Sequence, residues 1–374
     1  MNKKRIRLLD ILRGFAIVGT LGTNIWIFAH LGDLSYITTY EYSSWWAFED
    51  FLRMLILFLV NGKFLGLLTI MFGVGLELKY KQALRKSKPW PAMYIWTSVI
   101  LITEGFIHFL LVMEYDILMS YGVTAIIVSF IIKGGDAIIS KSMKIIGSIH
   151  AVFILFLLVV AILGANMSLG SFYEVTLLYQ NGTWIEQIQY RLANFLILRS
   201  EAILVIPMNI FLFLLGVRLM RLGVFAPDEN GKQKRKKLFH IGIYVGLPLN
   251  LLIFIPGGAF DLPVRYLFAP LLSLGYLALI ARMVEKNEAF WLWKQLEHMG
   301  KMSLSCYVMQ NILASCIFYG WGLGLGGNVN SIMIILIWML ISGFLMIFSS
   351  CWIQHFKQGP MESIRKYTAS IIQR

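Results

Sequence analysis

The sequence predicts an all-α fold: a polytopic membrane helix bundle of about ten transmembrane helices, with one further interfacial or re-entrant helix. Three observations carry that prediction. The first is composition, since 58% of the 374 residues are hydrophobic and only 14% are charged, with a mean hydropathy of +0.72. Soluble domains carry about a quarter charged residues. The second is the recurrence of apolar runs near the roughly 20 residues that cross a bilayer. The third is the placing of Lys and Arg, whose strong basic runs fall between apolar segments and lie on one side once ten crossings are drawn.

The net charge of +13 therefore reads as positive-inside loops drawn to anionic headgroups, with membrane lipid as partner and no role for nucleic acid. Cys306, Cys316 and Cys351 lie in or beside late apolar spans, with no CxxC and no His placed to make a ligand cluster with them, so neither a disulfide framework nor a zinc site is expected. The first apolar run lacks a small-residue cleavage site and is read as a retained helix. The expected location is the cell membrane, multi-pass, with both termini cytoplasmic.

Span one, about residues 11–29, is entered from Lys3, Lys4, Arg5 and Arg7 and left through a segment, 31–50, that has acidic residues and no Lys or Arg. At about 100° per residue, Arg13, Thr20 and Asn24 fall on one line with Asp10 beside it. Lipid penalises such a face, which points it into a bundle and makes it a functional candidate. A surface pairing of Asp10 with Arg13 that only sets helix depth is the structural alternative.

The runs 51–60 and 64–78 flank Asn61-Gly62-Lys63, and only the second approaches span length. Were both to cross, the basic loop from Lys79 to Lys88 would lie outside, so the first is read as interfacial or re-entrant. A helix broken at membrane depth is tolerated where it is buried in protein or lines a wet cavity, which makes this break a second candidate site.

Span three, about 92–113, carries Glu104 and His108 one turn apart. After Glu114-Tyr115-Asp116, span four runs to about 132 and span five covers about 145–165. The amphipathic stretch 187–201, with Arg191 and Arg199, is placed on the outer surface. Spans six to ten cover about 202–219, 238–255, 264–283, 302–319 and 331–352. Trp45, Trp46, Trp291 and Trp293 are read as an interfacial belt. With no repeat and no linker, residues 1–374 are expected to form a single integral membrane domain, with an N-terminal region (1–165) and a C-terminal region (200–374).

Four separated stretches resemble one family. Arg7-Leu8-Leu9-Asp10-Ile11-Leu12-Arg13-Gly14 with Asn24, then Gly62-Lys63-Phe64, are similar to the opening of the YeiB-like bacterial membrane proteins, a family of uncharacterised function. Gly105-Phe106-Ile107-His108 with Asp116-Ile117-Leu118 and Tyr121 resembles its central motif. Gly300-Lys301-Met302-Ser303-Leu304-Ser305 with Tyr307 and Gln310, then Gly359-Pro360-Met361-Glu362 with Arg365, resembles its C-terminal region. One position departs, because the family has Gly before the central aspartate and this chain has Tyr115. The first span also resembles that of heparan-α-glucosaminide N-acetyltransferase and its relatives. That second likeness implies acyl transfer from a cytoplasmic thioester, such as acyl-CoA, to an acceptor across the membrane, using a histidine.

Acyl transfer needs a base near the acceptor and donors for the developing oxyanion, and histidine suits the first task. His108 is the leading candidate, with Asp116 and Glu104 as orienting carboxylates, and His30 at the end of span one is its rival. Arg13, Lys63 and Lys301 are candidate phosphate ligands, although lysines near helix ends commonly snorkel. Asp10, Asn24, Glu104, Tyr121, Tyr307 and Gln310 complete the candidate substrate or donor lining.

Three readings follow. The chain is an acyltransferase-like enzyme acting on an envelope glycan or lipid, a transporter or flippase for a small polar or lipid-linked substrate, or a non-catalytic membrane scaffold. No resident cofactor is required by any of them.

Overall fold

A computed structural model describes residues 7–39, 47–164 and 172–371. Lys3, Lys4, Arg5, Trp45 and Trp46 lie outside the described residues. Every long element among those described is a helix, and eight helices or helix runs are long and apolar enough to cross a membrane. Two shorter apolar helices bring the number to the ten expected.

The chain begins with α1 (Arg7–Ala29), α2 (Phe48–Val60), α3 (Lys63–Arg85), α4 (Ala92–Leu111) and α5 (Leu118–Lys133). Next come α6 (Gly135–Ile162), α7 (Tyr173–Asn181), α8 (Trp184–Ala193), the single turn α9 (Phe195–Leu198) and α10 (Ala202–Arg221). A π turn joins α11 (Glu229–Ile241) to α12 (Leu247–Leu251), and another joins α13 (Asp261–Pro263) to α14 (Ala269–Lys286). The amphipathic α15 (Trp291–Lys301), then α16 (Ser303–Phe318), α17 (Ser331–His355) and α18 (Pro360–Ile371) complete the chain.

Ion pairs define one end of the bundle. Arg221 at the end of α10 holds Glu77 of α3 at 2.9 Å and Asp136 of α6 at 2.7 Å, Arg235 of α11 pairs with Glu285 of α14, and Arg7 pairs with Glu297 of α15 at 2.9 Å. This is the basic end, and the opposite end is called the far end below.

The first helix is the axis of the packing. It is crossed at the basic end by α15, where Gly14 faces the Leu296 carbonyl and Gly300 faces that of Asp10. A Cβ on Gly300 would stand 1.8 Å from the Asp10 oxygen, so only glycine allows this approach. Helices in lipid gain their association from such contacts, because tails are as apolar as leucine.

The break between α2 and α3 is a turn that glycine makes possible, with Gly62 at φ +76°. Ser331 at the far-end start of α17 donates to the Glu49 carbonyl at 3.1 Å, and Asn61 donates to the Ile37 carbonyl at 3.4 Å. The start of α2 therefore lies at the far end, its last turn reaches in beside Tyr276 of α14, and α3 continues from the break to the basic end, the run Phe48–Arg85 being apolar enough as a whole to cross.

One expectation is sharpened and one corrected. The stretch 187–201 is amphipathic, with Leu192, Leu196 and Ile197 exposed, but its inner face is charged: Gln187 and Arg191 are buried, and Arg191 donates to the Leu110 carbonyl at 2.9 Å and to the Tyr179 hydroxyl at 3.1 Å while facing Glu114 at 3.4 Å. A charge that finds a carboxylate and a helix C-terminus can go inside. Of the described belt tryptophans, Trp291 is exposed but Trp293 is core, its indole donating to the Asn287 carbonyl at 3.0 Å.

Candidate functional site

The turn 112–117 between α4 and α5 brings Asp116 back against the helix that carries His108. Asp116 accepts from the Met119 amide at 3.1 Å, capping the start of α5, and its own carbonyl takes a 2.7 Å bond from Arg199. Arg199 also donates to Ser120 at 2.9 Å, which fixes the turn from a third side.

The other Asp116 oxygen lies 3.0 Å from His108 Nδ1, and both side chains are fully buried. Among the described residues neither of these two atoms makes an aligned hydrogen bond, so the contact is one of proximity and charge. The Asn311 amide nitrogen lies 3.2 Å from Nε2, and its oxygen accepts from Asn24 Nδ2 at 3.5 Å. Asp116, His108, Asn311 and Asn24 thus form one polar chain through α5, α4, α16 and α1. Tyr307 packs beside it, with its ring centroid 5.3 Å from that of His108.

Cavities approach this chain from both ends. A chamber of about 60 Å³ is lined by Thr20, Asn24, Asn61, Asp116, Arg199 and Tyr307. It shares Asn61, Tyr115, Glu201 and Arg265 with a far-end cavity of about 400 Å³. From the other side, a cavity of about 230 Å³ runs inward from Arg13, Lys79 and Arg365 to Ile117 and Tyr307, which it shares with the chamber. That cavity shares Lys79, Tyr94, Glu362 and Arg365 with a basic-end vestibule of about 590 Å³.

The candidates named from sequence divide between these places. His108, Asp116, Asn24 and Tyr307 come together. Glu104 does not join them: its carboxylate is held by Arg365 of α18 at 2.8 Å, so Asp116 alone orients the histidine. His30 stands apart, stacked on Tyr36 with ring centroids 3.4 Å apart. Burial and the nearby Arg53 guanidinium push its pKa down to about 3, which leaves it neutral.

The proposed phosphate ligands also separate, with Lys63 on the far-end cavity, Arg13 on the inner basic cavity and Lys301 on the vestibule, where it pairs with Glu297 at 2.6 Å. Asp10 is buried beside Arg13 at 3.4 Å under the α15 crossing. Tyr121 is enclosed, its hydroxyl 2.7 Å from Thr69, and Gln310 is buried without lining any of these four cavities. Asn311 and Arg199 are the members sequence reasoning missed. Asn311 carried the signal that singled out Asn24, an amide inside an apolar span.

Residues 219–371 match the family described as Protein of unknown function (DUF418). The chain is similar to the uncharacterized protein YxaH of Bacillus subtilis, 25% identical over 97% of this chain and 93% of that protein. It is also similar to the uncharacterized protein YeiB of Escherichia coli, 26% identical over 95% of this chain and 93% of that protein. A third relative, an uncharacterized 39.9 kDa protein of Bacillus acidopullulyticus, is 23% identical over 96% and 92%.

Proposed function

This chain belongs to the YeiB-like family of membrane proteins of unknown function, and we propose that its interior site transfers an acyl group across the bilayer. The observation that carries the reading is the Asp116–His108–Asn311–Asn24 chain, whose ends Asp116 and Asn24 line the chamber that meets the basic-side cavity at Ile117 and Tyr307, with His108 and Asn311 buried directly behind that wall. A carboxylate on one imidazole nitrogen orients the ring and supports the positive charge the ring gains as a base.

The positive-inside rule makes the basic end cytoplasmic, with both termini there, and the far end extracytoplasmic in a cell membrane. The vestibule then receives the donor. Lys79, Lys86, Lys88 and Lys366 line it together with Trp90 and Tyr94, whose rings stack with centroids 5.0 Å apart. Ammonium groups beside aromatic faces suit a phosphorylated thioester of the acyl-CoA kind. The inner cavity leads its acyl end toward Tyr307.

An acceptor hydroxyl or amine of an envelope glycan or lipid enters the chamber from the far end and takes the place of the Asn311 amide on His108 Nε2. Nε2 removes its proton as the oxygen or nitrogen bonds to the thioester carbonyl carbon. The tetrahedral oxyanion takes hydrogen bonds from the amides of Asn24 and Asn311. Collapse breaks the carbon–sulfur bond, and the thiolate leaves with the proton held by His108.

The test is thiol release from acetyl-CoA by purified protein in proteoliposomes, with and without an envelope glycan and lipid extract. Acceptor-dependent release is expected, and His108→Ala is expected to lower it on the order of 10²–10⁴-fold. No release with any acyl-thioester, together with full cellular function of His108→Ala, overturns the proposal.

The same path through the bundle supports a transporter reading, which predicts substrate flux in vesicles that survives His108→Ala. Glu104, its sequence-level coupling candidate, is engaged by Arg365 instead of lining the path.

A further inference from the structure

Lys63 is 1% exposed, yet among the described residues no carboxylate lies within ion-pair distance of it, and its ammonium sits 5.5 Å from the Phe58 ring centroid. It lines the far-end cavity of about 400 Å³. A buried ammonium without a counter-charge is destabilising by several kcal/mol, so its presence points to a negative group that arrives from outside.

Three further features of the cavity agree. Lys63 is the first residue of α3, and Gly62 before it supplies no side-chain cap, so the positive end of a 23-residue helix opens at the same place. The carboxylates in the wall are already engaged. Asp261 takes the Thr39 amide at 2.7 Å and hydroxyl at 2.9 Å, and Glu201 takes Tyr266 and Arg265. Most of the remaining wall is apolar, including Leu34, Leu57, Leu204 and Leu262, and Ile197 at its edge is 73% exposed on the flank of the bundle, where acyl chains would lie.

We propose that this cavity is a binding site for an anionic amphiphile, its headgroup on Lys63 and the α3 N-terminus and its hydrocarbon chain along the leucine-lined wall toward Ile197. Through Asn61, Tyr115 and Arg265 the cavity adjoins the chamber of Asn24 and Asp116. The bound amphiphile is thereby placed as the acyl acceptor, a step that rests on the transferase reading, whereas the binding site does not.

The test is native mass spectrometry of the full-length protein released from neutral detergent, with phosphatidic acid, diacylglycerol or inorganic phosphate as probe. One retained phosphatidic acid per chain is expected, with little retention of the other two. Lys63→Met is expected to lower retention at least tenfold and Lys63→Arg to preserve it. Leu204→Trp, which fills the chain's path, is expected to lower retention even with Lys63 in place, and it decides the matter if Lys63→Met does not fold.

Equal retention of diacylglycerol, displacement of phosphatidic acid by inorganic phosphate as a mere free-anion site, or undiminished retention in the folded Lys63→Met protein overturns the proposal. Retention without any thioester transfer breaks the transferase reading and leaves the site standing.

Discussion

Two spanning helices of one chain, α1 and α6, live in opposite surroundings. In α1 the best apolar window is 72% buried inside the protein, and the helix carries Asp10, Arg13, Thr20, Thr23 and Asn24. In α6 the window is only 11% buried, and after Lys144 the helix carries no charged side chain. Even there the rule holds residue by residue: His150 is buried and bonded to the Tyr266 carbonyl at 3.0 Å, while Ile149, Val152 and Phe156 are exposed. Polarity inside an apolar span therefore reports which face meets protein. Apolar length reports only that the helix crosses.

The contrast can be broken by substitution. The largest stability effect is expected at the interior far-end ion pair. Arg191→Leu strands the fully buried Glu114 carboxylate and loses the bond to the Leu110 carbonyl, and a loss of about 3–5 kcal/mol is expected in reversible unfolding in mixed micelles. A smaller effect is expected at the helix crossing, where Gly300→Ala forces a methyl against the Asp10 carbonyl and separates α15 from α1. Overpacking of this kind costs about 1–3 kcal/mol, read as a lowered thermal midpoint. The smallest belongs to the lipid-facing side: Phe156→Ala on α6, 59% exposed, is expected to stay within about 0.5 kcal/mol of the parent. A Phe156→Ala loss as large as that of Arg191→Leu would mean α6 packs on something, such as a second copy of the chain.

The architecture was legible because each crossing announces itself locally, by apolar length and by the basic residues that end it. The site was only partly legible. His108 and Asp116 lie eight residues apart across one tight turn, so sequence could pair them. Asn311 reaches them only through the rotation of α16 about its axis, which no local pattern fixes. Glu104 shares a helical face with His108, but it sits one turn toward the basic end, where α18 lies against α4 and Arg365 takes it. Lys63, Arg13 and Lys301 looked alike as basic residues near helix ends, and only the fold shows that they line three different cavities.

The meeting of two cavities at Tyr307 and Ile117 has an electrical consequence. Water filling both would conduct, so the voltage across the membrane would fall over the thickness of a side chain or two instead of the whole hydrocarbon layer. A unit charge moved past that septum would feel nearly the full drop, about 2.3 kcal/mol per 100 mV. Any proton or anion that must pass His108 would then be driven or held back by the energised state of the cell.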